Sequence, residues 1–203
     1  MMKTMFGNAV CGMLQYYGVI SLQDLFLLCC QCELFQLTEY NSFLRKMQKE
    51  LQAWGDAFIC KKLVCHKNSK NPIMIRDAQK ALVAKEYKNF PLESYLQAGR
   101  MGFIWGPALC ELKMFLESYG SLSRYEIESE LRRLWLEINN MTDNVLLTAQ
   151  CVKNLGLNWE PEMKEYMTLL GKIGEVAEQL PQWSCKGYSY AELRELDRIQ
   201  KGN

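Results

Sequence analysis

Apolar residues recur along most of this chain at helical spacing. Between Thr4 and Tyr17 they predict a short helix that Gly18 ends. Ser21 opens a second helix, with Asp24 three residues on as in a capping box. Leu22, Leu25, Phe26, Leu27, Leu28, Cys29 and Cys30 make that helix apolar nearly all round, the pattern of a buried helix. Thr38 is the expected cap of a third. There Tyr40, Phe43, Leu44, Met47, Leu51 and Trp54 form one apolar face, and Asn41, Arg45, Gln48, Lys49 and Gln52 the opposite one. Gly55 ends it. Ala57–Cys60 and Leu63–His66 read as short strands around Lys61-Lys62, a hairpin without the usual Gly or Asn at its turn.

Beyond the polar loop 67–72 the periodicity is helical to the end. One helix carries Ile75, Ala78, Leu82 and Val83, and Asn89-Phe90-Pro91 separates it from another through Leu96. Pro107 starts a helix to about Ser118, and Ser123 with Glu126 caps the next, with Ile127, Leu131, Leu134, Trp135 and Ile138. Thr142 caps one that ends at Gly156; Pro161 opens a long one that Pro181 stops; Ser189 with Glu192 caps the last. The expected fold is therefore all-α or mostly α. Three helices and a hairpin are the element order of a winged helix, so residues 1–72 are expected to form a winged-helix-like unit and residues 73–203 a helical domain. A plain bundle with an irregular connector at 56–72 is the alternative.

Composition narrows the function classes. Apolar residues make up 49% of the 203, enough for a core, and a net charge of +1 argues against disorder. That small total hides an asymmetry. Residues 1–90 hold 12 Lys/Arg against 7 Asp/Glu, and residues 91–203 hold 12 against 16. A basic half points to nucleic acid, or to attraction between the halves. Nine cysteines, an odd number, do not suit a secreted disulfide framework and are expected to be reduced core thiols. No stretch approaches the roughly 18 consecutive apolar residues of a spanning helix. The run from Lys3 to Leu14 is interrupted by Gly7, Asn8 and Gly12, which weakens it as a signal segment. The expectation is a cytoplasmic protein with no membrane partner.

The residues with candidate chemistry lie in the basic half. Arg pairs with guanine edges, Asn and Gln with adenine, and Lys with phosphate. Asn41, Arg45, Gln48, Lys49 and Gln52 are these types on one helix face, and Lys61 and Lys62 are the expected grip on phosphate. Between 61 and 88, Lys61, Lys62, Lys67, Lys70, Arg76, Lys80, Lys85 and Lys88 meet only Asp77 and Glu86. An ordinary solvated face is the plain alternative. Cys29, Cys30, Cys32, Cys60, Cys65 and His66 fit no standard zinc spacing, so no metal and no cofactor is expected. His66, the sole histidine, has no nucleophile pattern around it. Gly171-Lys172-Ile173-Gly174 lacks the further Gly and the Ser/Thr of a phosphate loop, so its glycines are expected to serve close packing. Glu126, Glu128 and Glu130 read as surface charge, and no enzyme is expected. DNA is the expected partner, with a protein partner as the alternative.

Two short stretches resemble a group of uncharacterised bacterial helical proteins, some of which end in a cysteine-rich SEC-C metal-binding tail. Trp183, Gly187 and Glu192-Leu193 resemble the group's pattern Asn-x-Arg-x-Trp followed by Gly-His-Thr-Pro-x-Glu-Leu. Tyr17-Gly18-Val19-Ile20-Ser21-Leu22 is similar to its N-terminal element, which leads into a helix-turn-helix-like unit. Here Tyr188 replaces the His, Tyr190 replaces the Pro, the Asn-x-Arg element is missing, and these 203 residues contain no cysteine-rich tail. The resemblance thus implies a helix-turn-helix-like start and no metal site. The physical expectation at the C-terminal motif is that Trp183 packs, Gly187 turns the chain and Ser189 caps the last helix.

Overall fold

A computed structural model describes residues 4–82, 86–118, 123–140 and 163–202. It is mostly helical with one small sheet, and it divides into two compact units, Met1–Ile104 and Trp105–Asn203. The expected boundary at residue 72 falls inside the first unit. No described helix is long and apolar enough to cross a membrane.

The first unit is built around α1 (Met5–Tyr17), which contains no charged residue. Thr4 caps it by accepting the Gly7 amide at 3.0 Å, and Gly18 ends it at φ 65°. Apart from Asn8, every residue from Phe6 to Tyr17 is buried. The helix expected to be buried all round was instead α2 (Leu22–Gln31), which exposes Gln23, Leu27 and Gln31 along one line. The difference arises because α1 is covered on one side by the sheet and on another by α5 (Leu92–Met101). The α1–α5 crossing depends on glycine. A Cβ on Gly12 would lie 1.8 Å from the Tyr95 carbonyl oxygen, and one on Gly99 would lie 1.9 Å from that of Asn8. No side chain fits there, so backbone meets backbone.

Between α1 and α2 runs β1 (Val19–Ser21). After a 3-10 turn at Leu37–Glu39 comes α3 (Tyr40–Trp54), then β2 (Ala57–Cys60) and β3 (Leu63–His66). The strands form one antiparallel sheet in the order β1-β3-β2, with Val19 opposite Cys65 and Ala57 opposite His66. Thr38 is not the cap of α3: it sits inside the 3-10 turn, which Glu39 closes by accepting the Gln36 amide at 2.7 Å. α4 (Pro72–Ala81) follows, with the Asn71 side chain accepting the Met74 amide and Pro72 in the first turn.

Gln79 on α4 is fully buried. Its Nε2 donates to the carbonyls of Tyr17 and Val19 at 3.0 Å each, satisfying one acceptor that the end of α1 leaves open and one on β1. Its Oε1 accepts the Tyr87 hydroxyl at 3.0 Å. Next to this, the Tyr17 hydroxyl donates to the Lys88 carbonyl at 2.6 Å and lies 2.5 Å from the Tyr95 hydroxyl, which accepts the Phe90 amide. These bonds fix the approach to α5.

The second unit holds α6 (Pro107–Ser118), α7 (Arg124–Asn140), α8 (Met163–Gln179) and α9 (Tyr190–Gly202). The helix expected from Thr142 to Gly156, the start at Pro161, and Cys151 lie outside the described residues. Ser123–Glu126 and Ser189–Glu192 form two of the expected capping boxes. At the third, the Ser21 hydroxyl accepts the Asp24 amide at 3.0 Å while the Asp24 carboxylate turns to Arg76. Trp183 packs edge-to-face on Trp135 at 5.6 Å, and its amide donates to the Asn139 side chain at 3.1 Å. Gly187 turns the chain at φ 85°. The C-terminal motif is thus a packed closure of this unit.

Candidate nucleic-acid interface

Phe43 and Met47 root α3 in the core at 0% and 1% exposure. With about 100° between successive residues, Asn41, Arg45, Gln48 and Gln52 fall within about 60° of one another, roughly opposite that buried pair. Asn41, Arg45, Gln48 and Lys49 are exposed; the side chain of Gln52 lies outside the described residues. Lys49 flanks the stripe. The helix has one acid, Glu50, which accepts the Thr4 hydroxyl at 2.8 Å. Sequence reasoning missed Lys46, whose ammonium lies over the Phe6 and Phe35 rings at 4.9 and 5.5 Å. Its only sequence signal was its place beside Arg45.

Lys61 and Lys62 form the two-residue hairpin tip, both exposed and both left-handed, at φ 48° and 66°. Two-residue turns that match strand twist need positive φ at both positions, and Asn-Gly meets that need at least cost. Each lysine there costs about 1–2 kcal/mol. Glu33 and Lys186 also have positive φ, but only this turn places two such non-glycine residues in succession among the described residues. The tip is short: the Lys62 carbonyl accepts the Leu22 amide at 3.3 Å, holding it at the start of α2. Among the described residues, no hydrogen bond or ion pair links the tip to the α3 stripe, and none of Arg45, Lys49, Lys61 and Lys62 forms an ion pair.

The rest of the basic segment is less available than its sequence implied. Lys67 pairs with Asp56 at 2.6 Å and Lys80 with Asp77 at 3.3 Å. Arg76 pairs with Asp24 at 3.2 Å and donates to the Tyr87 hydroxyl at 2.6 Å, within the Gln79 network. Lys88 sits over Phe90 at 4.9 Å, and Lys85 lies outside the described residues.

The other candidate groups are structural in their placement. His66 is buried, its Nδ1 accepting the Asn68 amide at 3.2 Å. Burial pushes the Cys65 thiol up to about 11 and raises Cys29 further. Among the described residues no three His, Cys, Asp or Glu side chains gather as a metal site. Gly171 and Gly174 lie within α8, where an added Cβ would meet nothing within 4 Å, so close packing does not explain them. Lys172 pairs with Glu111 at 3.6 Å. Glu126 belongs to a cap, Glu128 pairs with Lys113 and Arg124, and Glu130 pairs with Arg133. Comparison of the chain with family models, curated proteins and solved structures finds no match.

Proposed function

We propose that the first unit is a winged-helix-like module that binds nucleic acid through α3 and the hairpin tip, in the service of regulation. The order α1-β1-α2-α3-β2-β3 with strands arranged β1-β3-β2 supports the winged-helix reading. The observation that carries the functional reading is the Lys61-Lys62 turn: two exposed cations held in a backbone conformation that other residues adopt more cheaply. The acid-free stripe Asn41–Arg45–Gln48 supplies base-reading side chains, and Lys49 flanks it for phosphate. Duplex DNA of mixed sequence, with RNA as comparison, tests this by fluorescence anisotropy at two salt concentrations. Binding is expected to weaken steeply with salt, and Arg45→Ala is expected to lower discrimination between sequences by about 1–3 kcal/mol without unfolding the chain. Absence of binding at low salt by the folded protein contradicts the reading.

One observation favours the alternative, a protein-interaction module on the same scaffold. Strand β2 is a sheet edge, and its Phe58 and Ile59 are 39% and 52% exposed. That reading predicts no nucleic-acid binding, or binding equally weak in the parent and in Arg45→Ala.

A further inference from the structure

The C-terminal turn of α2 carries a feature the proposed interface does not use. Cys29 and Cys32 are three residues apart at its end, with Cys29 fully buried and Cys32 half-buried. Cys32 retains near-helical backbone angles, φ −86° and ψ 9°, and its amide still donates to the Leu28 carbonyl at 3.0 Å. Helix geometry then sets the two Cα atoms about 5 Å apart, inside the range a disulfide spans. Cys30 is badly placed for either partner. Its side chain points about 100° from that of Cys29 and about 160° from that of Cys32. Cys32 also lines an open cleft of about 540 Å³, together with Glu33, Phe90 and Pro91. The cleft therefore gives a small molecule access to the Cys32 position, with Cys29 one turn behind it.

We propose that Cys29 and Cys32 are a redox dithiol, and that a small organic disulfide entering this cleft converts them to an intramolecular disulfide. The Cys32 thiol gives up its proton and its sulfur attacks one sulfur of the reagent. The reagent's S–S bond breaks, and one half leaves as a thiol carrying a proton. The Cys29 sulfur then attacks Cys32, expels the second half as thiol and closes the bond. Two protein thiols are oxidised and one reagent disulfide is reduced to two thiols. Burial raises both protein thiols, while the charge of Lys46 opposes that effect at Cys29. Exchange is therefore slow at neutral pH and quickens as pH rises, as the thiolate fraction of Cys32 grows.

The test treats the folded full-length chain with bis(2-hydroxyethyl) disulfide and maps its peptides by mass. The expected product joins Cys29 to Cys32, about two mass units below the reduced form, and dithiothreitol reverses it. Cys30→Ser leaves this product unchanged. Cys29→Ser stops at a stable mixed disulfide on Cys32, which also shows that the cleft thiol is attacked first. Cys32→Ser, at the half-buried position, forms no bond to Cys29. The proposal is overturned if mixed disulfides form only at other thiols, such as the exposed Cys110, or if Cys32 takes up the reagent and Cys29 never displaces it.

Discussion

The α1–α5 crossing and the hairpin tip treat glycine in opposite ways. At the crossing, two helices approach so closely that only glycine fits, and glycine stands at both contact points, Gly12 and Gly99. At the tip, the turn needs two left-handed residues, where Asn and Gly are the unstrained choice, and two lysines stand there. Local rules hold where packing alone is at stake. At the tip the local rule is broken where exposed positive charge is gained and no packing is. On the proposed reading, the tip is shaped by a partner and the crossing by stability.

Breaking the crossing has the largest expected effect. Gly12→Ala or Gly99→Ala drives a methyl into a backbone carbonyl on the opposite helix, which cannot swing aside as a side chain can. A loss of about 3 kcal/mol or more in urea unfolding is expected for each. A loss under about 1 kcal/mol would mean that the helices separate freely and that the glycines are incidental.

The next effect probes the hydroxyl pair beside the crossing. Burial is the main cause that raises Tyr95 to about 12 and raises Tyr17 still further. The folded chain then keeps these protons at pH values where the unfolded chain, with ordinary tyrosines near 10, has lost them. The stabilisation is fully present below about pH 10 and drains away as pH climbs towards 12, by about 2 kcal/mol from Tyr95 alone. Denaturant titrations across that window are expected to show the decline. A Tyr17→Phe/Tyr95→Phe variant is expected to make it shallower, leaving the part that other buried groups such as Tyr87 and Cys65 contribute. An equally steep decline in that variant would remove these tyrosines as its source.

A smaller effect separates strain from function. Glu33 takes the left-handed position just past α2, where the Leu34 amide reaches the Cys29 carbonyl and Glu33 itself reaches Cys30. Glycine is the usual residue in that motif. Glu33→Gly is expected to gain about 1 kcal/mol in unfolding measurements, with nucleic-acid affinity unchanged. A fall in affinity would join Glu33 to the interface and weaken the claim that the lysine tip is special.

Much of the local structure was legible in the sequence. Both β2 and β3 have the expected bounds, and the Ser-x-x-Glu boxes at Ser123 and Ser189 mark the helix starts they signalled. The central role of α1 was not legible. Gly7, Asn8 and Gly12 interrupt its apolar run, yet Gly12 is what brings α5 against it. A close approach depends on the partner helix, which lies some eighty residues along the chain. The candidate site divides in the same way. The α3 face follows from helical periodicity alone, so Asn41, Arg45, Gln48 and Lys49 emerged directly. The neutralisation of Lys67 and Arg76 did not, because it comes from Asp56 and Asp24, 11 and 52 residues away.

The most direct test of the central claim replaces Lys61-Lys62 by Asn-Gly. The account predicts that the variant gains about 2–4 kcal/mol of stability, since both positions of the turn lose their strain. It also predicts that the variant binds duplex DNA more weakly at every sequence, and that the slope of log affinity against log salt becomes shallower by about 0.9 for each phosphate contact removed. A variant that gains stability and keeps both the affinity and the salt slope of the parent would contradict the claim that the lysine tip exists to meet phosphate.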